Sequence, residues 1–184
     1  MTAPERPTAR AHREIDAVVR EGDIAIDATA GNGHDTVFLA RLVGEAGKVV
    51  AFDLQEQAIV STRDRLAAAS LLERVQLVHG SHGTIAEQVA AESVAAVMFN
   101  LGYLPGGDHA VITRTEETLR ALEGALGVLR PGGILTIVCY PGHEGGDEES
   151  AAVMAWGEKH GAEVFRRGDT LKPAPFLLVV RGGG

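Results

Sequence analysis

The stretch DATAGNGHD, residues 27–35, places two glycines, two acids and no apolar residue larger than alanine between two apolar runs. Glycine lets backbone N–H groups approach a ligand closely, and a helix beginning here would direct its positive dipole end at the same place. The stretch therefore predicts a binding site for a small molecule with carboxylate, phosphate or ribose oxygens. The candidate binding residues are Asp27, Thr29, Gly31, Asn32, Gly33, His34, Asp35 and Thr36.

Two classes of cofactor compete for this glycine loop. Residues 31–36, GNGHDT, match the dinucleotide pattern G-x-G-x-x-G except that Thr36 stands at the third glycine. Asp53 follows Gly33 by 20 positions, which suits a ribose diol in either class. Asp27 favours S-adenosylmethionine over a nicotinamide dinucleotide, because an acid repels a pyrophosphate but can hold an ammonium, directly or through water.

Residues after the other predicted strands extend the expected cofactor pocket, and several have a structural alternative. Asp53 either holds the ribose or is a strand-end turn residue. His34 either caps its own helix or contacts the cofactor carboxylate. The segment GSHG, residues 80–83, either flanks the adenine or forms a plain turn. The further cofactor candidates are Gln55, Ser81, His82 and Asn100.

The segment FNLGYLPGGDH, residues 99–109, follows the fourth predicted strand. It resembles the Asn-Pro-Pro-Tyr motif of methyltransferases that act on amino nitrogens, with Leu101 and Gly102 in place of the prolines. In that motif the Asn oxygen and the next backbone carbonyl accept hydrogen bonds from the target N–H groups, and the aromatic ring stacks on the substrate. The resemblance implies these catalytic roles for Asn100, Leu101 and Tyr103. The alternative is a strand-capping Asn and a packed Tyr.

The resemblance extends along nearly the whole chain, through DATAGNGHDT, AFDLQ, SHGTI, FNLGYLPGGDH and YPGHEGG in this order. These motifs are similar to those of the tRNA 5-aminomethyl-2-thiouridine methyltransferases, a family formerly labelled rRNA methylases. The family implies a class I fold, S-adenosylmethionine as methyl donor, and the primary amine of a wobble uridine in the tRNA anticodon loop as acceptor. The product would be 5-methylaminomethyl-2-thiouridine. Gly83 departs from the family, which often has Asp there.

The same resemblance suggests residues that contact the substrate. His109 or His143 would relay the departing proton, although a histidine in a glycine-rich loop is also a common structural residue. Glu149 would hold the incoming ammonium, or would favour the N-terminus of its own helix. No metal site is expected. The candidate substrate-binding residues are Tyr103, Pro105, His109, His143 and Glu149.

Length and composition predict one methyltransferase domain over residues 1–184, with a helical segment at residues 1–22 packed on its core. The apolar runs are too short to cross a bilayer and no signal core is present, so we expect a cytoplasmic protein without membrane contact. The only cysteine, Cys139, lies in an apolar run and is expected to be a packed thiol. A homodimer is one option for its assembly.

The formal net charge of −8 argues against a grip on long nucleic acids and for a small footprint. Basic residues nevertheless form two clusters, which are either ordinary solvated surface or parts of a nucleic-acid patch. The first cluster contains Arg6, Arg10, His12 and Arg13, and the second contains Arg166, Arg167 and Lys172.

Strands and helices are expected to alternate along the chain, which indicates an open, mostly parallel α/β sheet of Rossmann-like type with helices on both faces. The link between the last two strands is too short for a crossover helix, so one of them should be antiparallel. The expected strands are 23–28, 48–53, 75–80, 94–100, 134–140, 162–167 and 176–180, and the expected helices are 9–20, 34–43, 55–70, 147–160 and one from a Thr113 cap to Val128.

Three other functions remain open from the sequence. The same fold and donor would serve another nucleic-acid amine, such as a base in ribosomal RNA. A module that senses nucleotides without chemistry is a second option, against which Asn100 and Tyr103 count. A nicotinamide oxidoreductase is the third.

Overall fold

Seven strands form one sheet in the part of the chain that the computed structural model describes, residues 5–102, 115–143, 145–166 and 173–183. The strands are β1 (Ile24–Asp27), β2 (Lys48–Asp53), β3 (Val75–His79), β4 (Val94–Leu101), β5 (Leu129–Cys139), β6 (Glu163–Arg166) and β7 (Phe176–Arg181). Their order across the sheet is β3-β2-β1-β4-β5-β7-β6. Pairing from β3 through β5 is parallel, and β7 runs antiparallel to both of its neighbours. The predicted fold class is therefore confirmed.

Helices cover both faces of this sheet, as expected. One core contains buried residues of the first three helices, and the other contains buried residues of the last three. The helices are α1 (Pro7–Asp16), α2 (His34–Leu42), α3 (Glu56–Ala68), α4 (Ile85–Gln88), α5 (Thr115–Val128) and α6 (Gly146–Lys159). None of them, within the described residues, is long and apolar enough to span a bilayer.

The first helix differs from its predicted bounds of 9–20. It begins at Pro7, because proline has no N–H to lose in the first turn and its φ suits a helix start. It ends at Asp16, and Arg20 closes that end by donating to the carbonyl oxygens of Asp16 at 3.2 Å and Ala17 at 2.8 Å. Arg20 therefore satisfies the last carbonyls of the helix from outside it.

Two further elements depart from the prediction. The short α4 was not expected; it follows a 3₁₀ turn in which the Ser81 hydroxyl accepts a hydrogen bond from Gly83 N at 3.0 Å. Strand β5 starts at Leu129 rather than Ile134, and its register with β4 shifts between Leu129 and Ile134. The intervening turn is anchored by Arg130, which bonds the Asp23 carboxylate ahead of β1 at 2.9 Å. The predicted Thr113 cap lies outside the described residues.

The loop after β1 is joined to the strands on either side of it. Ala28 N donates to Met98 O of β4 at 2.8 Å, and Ala30 N donates to Phe52 O of β2 at 2.8 Å. These bonds continue the sheet beyond the end of β1, so the glycine loop starts from a fixed position between the ends of β2 and β4. The carboxyl ends of parallel strands are where such sheets bind ligands.

Gly33 is required by packing as well as by backbone conformation. Its φ is +80°, and a Cβ added there would lie 2.9 Å from the Cα of Thr62 on α3. Gly22 has a similar φ of +88° but open space around it. We expect Gly33→Ala to lower the free energy of unfolding by about 2–5 kcal/mol, and Gly22→Ala by about 1–2 kcal/mol, in urea titrations. Equal losses would contradict the packing argument.

Candidate functional site

Asp27, the last residue of β1, lies beneath the glycine loop and is fully buried. Its Oδ1 accepts from the backbone N–H of Thr29 at 3.0 Å, and its Oδ2 accepts from the hydroxyl of Thr36 at 2.6 Å. The carboxylate therefore ties the start of the loop to the first turn of α2. This geometry gives Asp27 a supporting place below the loop. Its contact with the ammonium of the cofactor, direct or through water, stays a prediction.

Burial raises the pKa of Asp27 to about 7, and the neighbouring charge of Asp35 acts in the same direction. The hydrogen bonds from Thr36 and Thr29 oppose the shift without cancelling it. When Asp27 is protonated, one carboxyl oxygen still accepts hydrogen bonds and the other becomes an O–H donor. The hydrogen bonds that hold the loop therefore change with pH near neutrality.

The carbonyl oxygens of the glycine loop point toward α3. Thr62 Oγ1 donates to Gly31 O at 3.2 Å, and Arg65 Nε donates to Asn32 O at 2.6 Å. The N–H groups of the first turn of α2 have no acceptor within the helix, as at any helix start. The N–H groups of Ala30, Gly31 and Gly33 already have protein acceptors, so the start of α2 is the part that offers hydrogen-bond donors.

Asp53, at the end of β2, is half-buried and reaches the loop from the side. Its Oδ2 accepts from Gly31 N and its Oδ1 accepts from Gln55 N, both at 2.9 Å. Each oxygen keeps one further lone pair for a ligand hydroxyl. Leu54 beside it is 40% exposed, one of the few exposed large apolar side chains among the described residues. Asp53 thus offers hydrogen-bond acceptors and Leu54 offers an apolar surface, which together suit the ribose and the base of a nucleoside.

The Ser81–His82 segment follows β3, beside the end of β2, where Gly80 N donates to Asp53 O at 2.9 Å. Ser81 Oγ donates to Glu117 at 3.1 Å, so the predicted cofactor residue Ser81 also joins this turn to α5. His82 is buried, with Nδ1 3.0 Å from Ala28 O, and burial lowers its pKa. With Nδ1 as the donor, Nε2 is an acceptor, and it has no partner among the described residues.

Asn100 lies at the end of β4, next to the glycine loop. Its backbone N donates to Thr29 Oγ1 at 2.8 Å, and its side-chain Nδ2 lies 3.4 Å from Asp35 Oδ2. Leu101, which follows, is buried and paired with Cys139 of β5. The structure thus brings together two of the predicted catalytic residues and the predicted cofactor loop. Tyr103, Pro105 and His109 lie outside the described residues.

Two residues of this corner were missed by the sequence reasoning. Tyr140 directly follows β5, and Asn100 lies at the end of the adjacent strand β4. The side chains of the two residues share a hydrogen bond. The parallel alignment of adjacent strand ends was a signal that could have found it. His12, on α1, has Nε2 2.6 Å from Asp35 Oδ1. No sequence pattern relates residues 12 and 35.

The remaining predicted residues have mainly local partners. His34 is exposed at the start of α2, and Gly33 provides no side-chain cap. Glu149 is buried in the first turn of α6 and accepts from Thr118 of α5 at 2.7 Å. The His143 ring lies against Gly146, where an added Cβ would come within 2.5 Å of it. Cys139 is buried, as predicted.

The first basic cluster is largely neutralised within α1 and its surroundings. Arg10 Nε bonds Glu14 at 2.7 Å, and Arg13 Nη2 bonds Glu5 at 2.9 Å. His12 faces Asp35. The cluster therefore resembles ordinary paired surface more than a phosphate-binding patch. In the second cluster, Arg167 and Lys172 lie outside the described residues.

The raised pKa of Asp27 predicts a pH dependence of folding. Between the unfolded value near 4 and the folded value of about 7, the native state holds the extra proton, so this group's contribution to stability falls as pH rises and is constant above about 8. Compared with Asp27→Asn, the wild type should lose stability from pH 5 to 7, with a slope of at most about 1.4 kcal/mol per unit. Urea titrations over this range measure the difference.

His82 gives the matched control for this measurement. Its lowered pKa has the opposite consequence. The contribution of His82 to the free energy of unfolding is complete when the pH is above the pKa of His82 in the unfolded state, and it decreases as the pH falls below that pKa. The difference between wild type and His82→Gln should therefore change with pH in the reverse direction. A flat difference for Asp27→Asn would contradict the assigned titration.

Comparisons with known proteins agree with this geometry. Residues 49–167 match the family model described as "Putative rRNA methylase". The chain is 41% identical over 162 residues to a protein of Arabidopsis thaliana named tRNA (mnm(5)s(2)U34)-methyltransferase, chloroplastic. That match covers 83% of this chain and 59% of the Arabidopsis protein, so the chain spans less than two thirds of that relative.

Two solved structures cover almost the whole chain. A putative rRNA methylase from Clostridium thermocellum is 38% identical, with a TM-score of 0.93 and coverage of 98% of this chain and 99% of that one. A putative methyltransferase from Streptococcus mutans, in complex with S-adenosylhomocysteine, is also 38% identical, with a TM-score of 0.86 and coverage of 96% and 98%. The chain therefore belongs to the family described as putative rRNA methylases and has the class I methyltransferase fold.

Proposed function

We propose that this chain transfers a methyl group from S-adenosylmethionine to the 5-aminomethyl group of the wobble 2-thiouridine of tRNA. The observation that carries the proposal is the Asn100 corner, where Asn100 donates its backbone N–H to Thr29 and its side-chain NH₂ to Asp35 beside the cofactor loop. An amide in this place suits an amino nitrogen as the methyl acceptor, because the amide oxygen accepts a hydrogen bond from the N–H and leaves the nitrogen lone pair free. The name of the Arabidopsis relative supports the tRNA substrate.

The described residues fit the cofactor in its main parts. Asp53 would accept from the ribose hydroxyls, with Gln55 beside it. The N–H groups of His34, Asp35 and Thr36 would bind the carboxylate of the amino-acid end, and Thr29, Gly31, Asn32 and Gly33 shape the loop around it. Ser81 and His82 would flank the adenine. When bound, S-adenosylmethionine supplies an electrophilic methyl group beside a sulfonium charge.

The acceptor amine must arrive neutral. An alkylamine with a pKa near 10 is mostly protonated at pH 7, so presenting its neutral form costs up to ~4 kcal/mol. Two acceptors, Asn100 Oδ1 and the Leu101 carbonyl, would hold its two N–H groups beside a cation that disfavours a second positive charge. The amine then forms the new C–N bond, the C–S bond breaks with its electron pair left on sulfur, and the product is a secondary ammonium. Alignment contributes more here than acid–base chemistry.

The contacts outside this corner complete the proposal. Tyr103 and Pro105 would pack on the uridine, and His109 or His143 would carry the departing proton. Glu149 would contribute negative charge near the incoming amine, although its bond to Thr118 gives it a structural place as well. We further propose that residues 1–184 form a single methyltransferase domain. Its cytoplasmic location and its assembly as a homodimer stay predictions.

Charge favours a short RNA element as the substrate. The net charge of −8 and the internal pairing of Arg10 and Arg13 leave few cations for a long duplex. A single-stranded loop offers splayed bases that a protein can read by stacking and hydrogen bonds, with few phosphate contacts. The anticodon loop meets this requirement.

Cofactor binding has a direct test in thermal unfolding. S-Adenosylhomocysteine at a hundredfold excess over its Kd should raise the Tm by roughly 5–10 °C, whereas NAD should not change it. Asp53→Ala should remove most of this rise, because the ribose hydroxyls lose their acceptor. Asp64→Ala, which removes an exposed carboxylate from α3, is the matched control and should keep it. A rise with NAD alone would contradict the cofactor assignment.

The substrate is tested with synthetic anticodon stem-loops and mass spectrometry of their nucleosides. A stem-loop carrying 5-aminomethyl-2-thiouridine should gain one methyl group, at a rate within about tenfold of whole tRNA. The same stem-loop with plain uridine should stay unchanged, because it brings no alkylamine to Asn100. Methylation of plain-uridine RNA or of ribosomal RNA instead would overturn the proposed acceptor.

A further inference from the structure

Four polar side chains from four different elements meet beside the proposed methyl-transfer site. They are His12 of α1, Asp35 of α2, Asn100 of β4 and Tyr140 after β5. Asp35 is the link: its Oδ1 lies 2.6 Å from His12 Nε2, and its Oδ2 lies 3.4 Å from Asn100 Nδ2. The chain of contacts therefore runs from the N-terminal helix to the proposed acceptor residue.

The Asp35 carboxylate decides which way the Asn100 amide faces. A carboxylate only accepts hydrogen bonds, so the NH₂ group of the amide must face it and the carbonyl oxygen must point elsewhere. The reversed amide would set two acceptor oxygens against each other. An amide without such a neighbour has two orientations of similar energy, and only one of them presents Oδ1 to an amine.

Tyr140 borders the same corner of the site. Its ring lies against the backbone of Gly102, where an added Cβ would be 3.3 Å from the ring. Burial and the charge of Asp35 raise the pKa of Tyr140, and the hydrogen bond with the Asn100 side chain lowers it. Tyr140 therefore lies close to both Gly102 and the Asn100 side chain.

Asp35 is itself held by His12. Since the carboxylate accepts, His12 Nε2 is the donor. The imidazole is fixed in a second direction by Phe38, one turn further along α2, whose ring stacks on it at 3.9 Å between centroids and 5° between planes. Helix α1 is anchored beneath by Ala11 and Ile15, both fully buried. The position of His12 is thus determined by the fold.

We propose that His12 is a positioning residue for the acceptor amine: its Nε2–H holds Asp35, which in turn holds the Asn100 amide with Oδ1 toward the incoming nitrogen. This inference rests on the proposed function and deepens it, since it makes the N-terminal helix part of the acceptor site. His12 touches neither the amine nor the cofactor and acts through Asp35. A histidine that carried the proton away would need to titrate, whereas a positioning histidine needs only its N–H.

Glutamine distinguishes the two roles, because it donates through Nε2 but does not titrate. In His12→Ala, kcat on the aminomethyl stem-loop should fall roughly 10- to 100-fold, with the Kd for S-adenosylhomocysteine within about twofold of wild type. In His12→Gln, kcat should return to within about threefold of wild type, with the same pH profile. Arg13→Ala, an exposed change on the same helix, is the matched control and should leave kcat unchanged.

Two kinetic results would overturn the proposal. One is a kcat in His12→Ala equal to that of wild type. The other is a His12→Gln variant as slow as His12→Ala that has also lost a limb of the pH profile, which would make His12 a proton carrier. If the Tm of His12→Ala falls while that of His12→Gln does not, the result still supports the positioning role, provided that the Kd of His12→Ala for S-adenosylhomocysteine is unchanged.

A measurement that needs no substrate separates this inference from the proposed function. The side-chain NH₂ signal of Asn100, assigned by its loss in Asn100→Ala, should exchange slowly with solvent in wild type and in His12→Gln, and faster in His12→Ala. If the aminomethyl stem-loop is not methylated but this pattern holds, the proposed substrate fails and the positioning stands. If exchange is the same in all three proteins, the positioning fails, whatever the substrate.

Discussion

The buried carboxyl of Asp27 is the contact on which the rest of the site depends. It takes the backbone N–H of Thr29 on one oxygen and the hydroxyl of Thr36 on the other, so one side chain fixes both ends of the loop. Burying a carboxylate costs free energy that two hydrogen bonds only partly return, as the pKa of about 7 indicates. A protein that accepts this cost gains a loop whose backbone is defined before any ligand binds.

Two sets of hydrogen bonds link Asp27 to Asn100 and determine the position of Asn100. Thr29, held through its N–H, uses its hydroxyl to accept from the backbone N of Asn100. Thr36, held through its hydroxyl, fixes the first turn of α2, and with it the neighbouring Asp35. The two oxygens of the Asp27 carboxyl therefore position Asn100 separately, one its backbone and the other its side chain. Adjacent parallel strands make this possible because their carboxyl ends lie side by side.

The sequence could predict whatever depended on local pattern. Alternating apolar runs and glycine turns predicted the strands, their mostly parallel order and the ligand loop. The bounds of α1 and the short α4 were missed, because Arg20 and Ser81 act there through single side-chain bonds that leave no periodic signal. The bonds of Asp27 to Thr29 and Thr36 could not be foreseen either, since a residue at a strand end can face the cleft or the core. The contact of His12 with Asp35 joins two helices and follows only from how α1 packs.

The acidic character of the site suits both the cationic ligands and the small RNA footprint of the proposed function. Asp27, Asp35 and Asp53 lie close enough that the last two raise the pKa of the first. Such a cluster attracts a sulfonium and an alkylammonium but opposes phosphate groups, so a dinucleotide pyrophosphate and a run of RNA phosphates are both disfavoured near it. The proposed RNA substrate would therefore present its amine on an extruded base, with its backbone kept at the rim. A wobble nucleotide in an anticodon loop has this geometry, because its base can leave the stack while its phosphates stay outside.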